Sequence, residues 1–297
     1  MKPYRSILFV PGHRPAWAEK AVASGADCVV LDLEDSVPAE QKVAARATVA
    51  ETIGRIRATH PDVGLLVRVN PLATRLTGAD LEAVVVPGLD GVFAPKIEQA
   101  TDVLRYDTLL DHFEARNGVT GLEYIVPVET VQAIQNCREV ALASPRIGAM
   151  IGPSAEHADI ARAVGYEWTP EGLETLYLRS RVLLACREAG IHALTGLWED
   201  LENLDGLREF ALRGRRLGFR GMIAIHPKHV ETVNDVFTPS AEDVAFYEGM
   251  VEAYEAAAAE GTGALRYRGL HIDKAHYDKA VEWLDRAAGF RQAGEQA

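Results

Sequence analysis

The chain has 297 residues, 48% of them hydrophobic and 25% charged, with a formal net charge of −12. That length holds one full α/β barrel or two smaller domains. The acidic balance excludes a phosphate-gripping nucleic-acid face, and no apolar run reaches the roughly 18–20 residues that cross a bilayer.

The first apolar run, residues 7–10, follows a short N-terminal stretch without signal-peptide architecture, so a cytoplasmic location is expected. It stops at Pro11-Gly12-His13-Arg14. The second run, 28–33, leads into Asp32-Leu33-Glu34-Asp35, three acids within four positions; strand alternation puts Asp32 and Glu34 on one face. A helix-period segment over 39–57 carries Lys42 and Arg46. The third run, 65–70, is interrupted by Arg68, and the fourth, 91–95, ends in Pro95-Lys96-Ile97-Glu98. The fifth, 123–128, stops at Glu129. The sixth, 147–151, leads through Gly152-Pro153-Ser154-Ala155-Glu156-His157-Ala158 to Asp159. A helical pattern over 173–189 precedes the seventh run, 192–197, and the eighth, 222–225, ends in His226-Pro227.

Continuous apolar strands alternating with helices predict a parallel sheet covered on both faces. Eight such units predict a (β/α)8 TIM barrel over residues 1–238. Residues 239–297 are expected to form a C-terminal helical extension or lid packing on a neighbouring subunit. Beyond a hinge near 256–264 its tail, from Arg266 to about Ala288, is too small to bury a core of its own, and residues 291–297 are expected to fray. Cys28, Cys137 and Cys186 are odd in number, far apart and in apolar surroundings, so they read as core thiols.

In such a barrel chemistry sits at the carboxyl ends of the strands. Glu129 and Asp159, at the ends of successive strands, are placed to share one hard divalent cation, Mg2+ with Mn2+ as an alternative. Glu156 and His157 are competing ligands, although a histidine suits a transition metal better. Arg68, inside a barrel strand, needs a carboxylate partner: either a substrate, which its planar fork matches, or a structural partner such as Glu34 or Glu98. Glu34 and Asp35 are read as groups that orient the metal's water or Arg68; Asp35 reads equally as a helix cap. His13, Arg14, Lys42 and Arg46 form either a basic rim for substrate phosphates or solvated helix surface. No phosphate-binding glycine loop signals a nucleotide triphosphate or dinucleotide, and Gly152-Pro153-Ser154 lacks the glycine pattern of a nucleophile elbow.

Several motifs in order carry a resemblance. Residues 5–12 (RSILFVPG), 27–37, 67–71 (VRVNP), 94–98 (APKIE) and 225–227 (IHP) resemble the citrate lyase beta-subunit-like CoA-ester lyases of the HpcH/HpaI aldolase superfamily. The resemblance implies a TIM barrel and a Mg2+-dependent carbon–carbon lyase acting on malyl-, citramalyl- or citryl-CoA, with an acyl-CoA and a 2-oxoacid as its small-molecule partners. It implies Glu129 and Asp159 as metal ligands and Arg68 as the residue on the oxoacid oxygens. Lys96, His226 and Pro227 fall in its substrate-binding motifs. Gly269-Leu270-His271-Ile272-Asp273 matches a motif whose aspartate is catalytic and supplied by a neighbouring subunit, which implies a trimer or dimer of trimers. The loop before Asp159 is longer than the family's, and Met222 stands where the family tends to carry lysine. A CoA-independent 2-oxoacid aldolase, a malate-synthase-like thioester hydrolase and a lyase subunit serving an acyl-carrier protein remain alternatives.

Overall fold

All eight apolar runs are strands, paired in parallel in chain order around a closed barrel in the computed structural model, which describes residues 1–294. They are β1 (Ser6–Pro11), β2 (Cys28–Asp32), β3 (Gly64–Arg68), β4 (Gly91–Phe93), β5 (Glu123–Pro127), β6 (Ile147–Gly152), β7 (His192–Thr195) and β8 (Met222–Ala224). Around them run α1 (Pro15–Ala23), α2 (Lys42–Thr59), α3 (Thr77–Val84), α4 (Ala100–Asn117), α5 (Val131–Gln135) and α6 (Cys137–Ala141). The circuit continues through α7 (Asp159–Val164), α8 (Leu173–Ala189), α9 (Leu204–Leu217) and α10 (Val230–Phe237).

The run character of the strands follows from their double burial: every residue of β2 and of β6 is buried. Ile7, Val30, Leu66, Phe93, Ile125, Ala149, Leu194 and Ile223, contributed by all eight strands, cluster together inside the barrel. The alternate residues, such as Leu8, Val29, Leu31, Val67 and Met150, pack outward with the helices. The barrel closes where Ser6 to Leu8 of β1 pair with Met222 to Ala224 of β8. Gly12 is required where the chain leaves β1. Its N–H donates to the Asp32 carbonyl at 2.8 Å, and a Cβ there would lie 2.6 Å from that oxygen.

Residues 3–237 form one compact unit and the chain from Thr238 another. The second unit contains α11 (Ala241–Ala259), β9 (Ala264–Tyr267), β10 (Leu270–Asp273) and α12 (Lys274–Gly294). The expected helical extension therefore also contains an antiparallel hairpin. Its two turn residues, Arg268 and Gly269, both have positive φ (43° and 87°), as a tight hairpin requires. The unit buries a small core, Met250, Ile272 and Ala280, packed by Phe246, Tyr254 and Tyr267, so the tail shares a core with α11 rather than burying one alone. Of the stretch expected to fray, α12 runs on to Gly294 and residues 295–297 lie outside the described residues.

The three cysteines are buried free thiols. Burial pushes all of them up, Cys186 to about 12. Among the described residues, no helix is long and apolar enough to cross a membrane.

Candidate active site

A cavity of about 850 Å3 opens at the carboxyl ends of the strands. Its lining brings together Asp32, Asp35, Arg68, Glu129, Asp159, His226 and Pro227. Residues that lie far apart in the chain thus meet because each ends a strand or lies in the segment that follows one.

Glu129 sits between the end of β5 and the start of α5, where the Thr130 hydroxyl accepts from the Ala133 N–H at 3.1 Å and fixes the turn. Asp159 is the first residue of α7. The two carboxylates converge on one cationic group. The Lys96 ammonium is hydrogen-bonded to Asp159 Oδ2 and lies 3.7 Å from Glu129 Oε2. Two carboxylates already sharing a point charge form a donor set that fits a hard divalent cation. Lys96 also donates its backbone N–H to Glu129 Oε1 at 2.7 Å. It adopts φ 53°, a left-handed conformation unusual for a residue with a Cβ.

Arg68 is held from below. It faces Asp32 directly in the β2–β3 register, and its Nε and Nη2 donate to the two Asp32 oxygens at 2.6 and 2.7 Å. Its Nη1 is 3.0 Å from Glu34 Oε2 and 3.7 Å from Asp35 Oδ2. The guanidinium also lies 5.1 Å from the centre of the Phe9 ring. Of the two structural partners considered for Arg68, Glu34 is in place, but Asp32 is the bidentate one. Burial alone would raise the Asp32 carboxyl; the Arg68 fork, with the Ser36 hydroxyl and the Glu34 N–H, outweighs it and holds Asp32 below the ordinary carboxylate range.

Glu34 goes the other way. Burial pushes it up to about 7, with Arg68 opposing and Asp35 and Glu129 adding to the rise. Folded Glu34 keeps its proton to about pH 7, whereas an unfolded glutamate releases it near 4.5. Between those values the folded chain binds more protons, so its stability falls as pH rises. Glu34→Gln in metal-free protein is expected to flatten this slope, removing about 2–3 kcal/mol of pH-dependent destabilisation by neutrality. Urea unfolding at several pH values measures it; an unchanged slope would place the titration on another residue.

The basic rim differs from the expected one. The Lys42 ammonium donates to Leu33 O, Glu34 O and Asn70 Oδ1, each at 2.8 Å. All three of its protons are used in tying the ends of β2 and β3 together, which corrects its reading as a substrate-binding cation. Arg46 pairs with the buried Asp80 at 2.8 Å. The cationic side of the cavity mouth is instead α1. Trp17 and Lys20 line the cavity, and the Arg14 guanidinium lies 6.0 Å from the Trp17 ring centre. Neither Trp17 nor Lys20 is evident from the strand-end motifs. Their i, i+3 spacing on the helix after β1 is the signal that would have found them. His13 is half-buried, with an Nδ1 that has no hydrogen-bond partner among the described residues. His226 accepts the Lys228 N–H on Nδ1 at 3.1 Å, which fixes its ring at the mouth. In the long loop before Asp159, His157 pairs with Glu199 at 2.5 Å, and with Glu156 forms an exposed group at the surface end of the cavity lining.

In the second unit, Asp273 ends β10. Its Oδ1 accepts the N–H of Ala275 at 3.0 Å and of His276 at 3.4 Å, and pairs with His276 Nδ1 at 2.8 Å. These bonds to His276 and Ala275 hold its carboxyl below the ordinary value. Asp273 is thus also the cap of α12.

A parallel barrel with paired acids and a clamped arginine at its strand ends has the frame of a metal-assisted aldolase or lyase. The chain belongs to the HpcH/HpaI aldolase/citrate lyase family, whose sequence model matches residues 5–227. The citrate lyase subunit beta of Haemophilus influenzae is 33% identical over 298 residues, covering 98% of this chain and 100% of that protein. The L-malyl-CoA/beta-methylmalyl-CoA lyase of Cereibacter sphaeroides is 36% identical over 303 residues, covering 94% of this chain and 93% of that one. Among solved structures, CitE from Mycobacterium tuberculosis in complex with magnesium, acetoacetate and coenzyme A is similar, with a TM-score of 0.74 and 28% identity; the match covers 97% of this chain and 98% of that one. The family read from the sequence motifs is the family to which the chain belongs.

Proposed function

We propose that this protein is a divalent-cation-dependent CoA-ester lyase. It cleaves a short 3-hydroxyacyl-CoA to acetyl-CoA, or a homologue, and a 2-oxoacid, or runs the reverse condensation. The observation that carries this reading is the pair Glu129 and Asp159, converging on one cationic position in the same cavity as Arg68. The lyases among its relatives and the magnesium and coenzyme A bound to the similar CitE support it.

A Mg2+ or Mn2+ ion held by Glu129 and Asp159 would supply a Lewis acid for the oxygens of the oxoacid half. Arg68, fixed by Asp32 and steered by Glu34 and Asp35, donates hydrogen bonds to those oxygens as the carbonyl forms. In cleavage the hydroxyl gives its proton to water, the bond between C2 and C3 breaks and its electron pair passes into the thioester as an enolate. Asp273, supplied by a neighbouring subunit of a homotrimer, takes a proton from water and relays it to the carbon. In condensation Asp273 takes that proton from the methyl group. Trp17, Arg14 and Lys20, with His226 and Pro227, bind the nucleotide end at the mouth by stacking and by charge, while His13 and Lys96 are assigned to the acyl end.

Part of the cavity lining is hydrocarbon, Phe9, Phe93, Ile151, Leu197 and Ile223, and the oxoacid side chain is assigned to that wall. A hydrogen or methyl group fits there, whereas a second carboxylate would be desolvated without a dedicated partner. Malyl- or citramalyl-CoA is therefore the expected substrate, ahead of citryl-CoA by about tenfold or more in kcat/KM. A coupled assay of the three esters with Mg2+ and with EDTA tests both statements. Metal-dependent release of acetyl-CoA and oxoacid is expected. Release of free CoA alone would make the protein a thioester hydrolase, and cleavage only of acyl-carrier-protein esters would make it a complex subunit. Oxoacid cleavage without CoA would make it a plain aldolase. A preference for citryl-CoA would overturn the wall argument while leaving the lyase.

A further inference from the structure

We propose that Lys96 is the resident counter-ion of the divalent-cation site, holding Glu129 and Asp159 together until the ion arrives and then leaving, so that metal binding is a cation exchange. This rests on the assignment of Glu129 and Asp159 as the ion's ligands.

The two contacts of Lys96 are separable. Its backbone N–H aligns Glu129 at 2.7 Å, and this requires the left-handed turn at φ 53°. Such a conformation is strained for a residue with a Cβ, and it is retained at a position whose amide points at a site carboxylate. The side chain does something else: its ammonium joins Asp159 to Glu129 across the cavity's strand ends. Without a cation between them the two carboxylates would repel and separate. With the ammonium there, the acids stay converged.

The other cation of the site is not built to move. Arg68 is anchored by two hydrogen bonds to a carboxylate 1% exposed. Lys96 carries its charge on a flexible four-carbon stem, and its side chain is 31% exposed. A divalent ion offers two carboxylates twice the charge of an ammonium and inner-sphere coordination. Lys96 therefore yields its place, while its amide remains on Glu129 and keeps the carboxylate aimed. The arrangement preorganises the ligands and at the same time lowers the apparent affinity for the ion, because each binding event must break the ammonium contacts.

Lys96→Met keeps the stem and the backbone N–H and removes only the charge. Titration calorimetry with Mg2+ on the full-length protein, with Mn2+ paramagnetic resonance as a second probe, is expected to show binding about tenfold or more tighter in the variant than in wild type. Lys96→Gly, which suits the left-handed turn, serves as the second variant if the methionine form does not fold, with the same expectation. In wild-type protein, acylation of Lys96 by an amine reagent, followed by mass spectrometry, is expected to increase when Mg2+ is added. Equal or weaker binding in the variants, with wild type binding normally, overturns the exchange while leaving the metal assignment standing. No binding of either ion by wild type overturns both.

Discussion

Glu129→Ala is expected to lower carbon–carbon cleavage by about 10³-fold or more, because the proposed reaction takes several kcal/mol from a cation that the remaining Asp159 cannot hold alone. Asp159 is 42% exposed and already engages Lys96 and, at 3.3 Å, Arg162. A single half-exposed carboxylate is a weak site for a hard ion. Circular dichroism should match wild type, since Glu129 lies beyond the last residue of β5 and its loss leaves the Thr130 cap in place. Magnesium titration and the ester assay should fall together. Activity within tenfold of wild type would remove Glu129 from the reaction.

Asp273→Asn is expected to cost about 10²–10⁴-fold in turnover, the range for a positioned proton-transfer group. The substitution is clean. Asparagine keeps an oxygen to accept from Ala275 and His276, so the start of α12 survives, while the carboxylate that would carry the proton is lost. Oxoacid and metal binding should be unaffected. If the carboxylate comes from a neighbouring subunit, mixing inactive Glu129→Ala and Asp273→Asn proteins should restore about a quarter of wild-type activity, since one interface pairing in four is then intact on both sides. Two inactive proteins that stay inactive when co-refolded would mean that each chain supplies its own aspartate.

The barrel was legible because a parallel strand buried on both faces writes itself as an uninterrupted apolar run, and the site was legible wherever such a run stops abruptly at a charge, as at Arg68, Glu129 and His226. Four features were not. The hairpin of the second unit is mostly half-exposed or exposed, so Arg266-Tyr267-Arg268-Gly269-Leu270-His271 carries no apolar run to announce it. Lys42 looks like any surface lysine, because its partners are the carbonyls of strand ends that only the closed barrel brings near. Trp17 and Lys20 belong to a helix face, and a reading confined to strand ends passes over them. The register partner of Arg68 also escaped: Asp32 stands opposite it only once β2 and β3 are aligned.

Asp32, Asp35, Glu129 and Asp159, with Glu34 partly ionised at neutrality, surround the strand ends against Arg68 and Lys96, and Lys20 and Arg14 stand at the mouth. A CoA ester brings several negative charges of its own. Approaching the metal-free protein, it meets an excess of like charge at the strand ends, and its encounter rate is reduced accordingly. Two added positive charges reverse much of that local field. Binding would thereby acquire a sequence in time, cation before ester, with the electrostatic gate set by the same acids that keep the arginine in position.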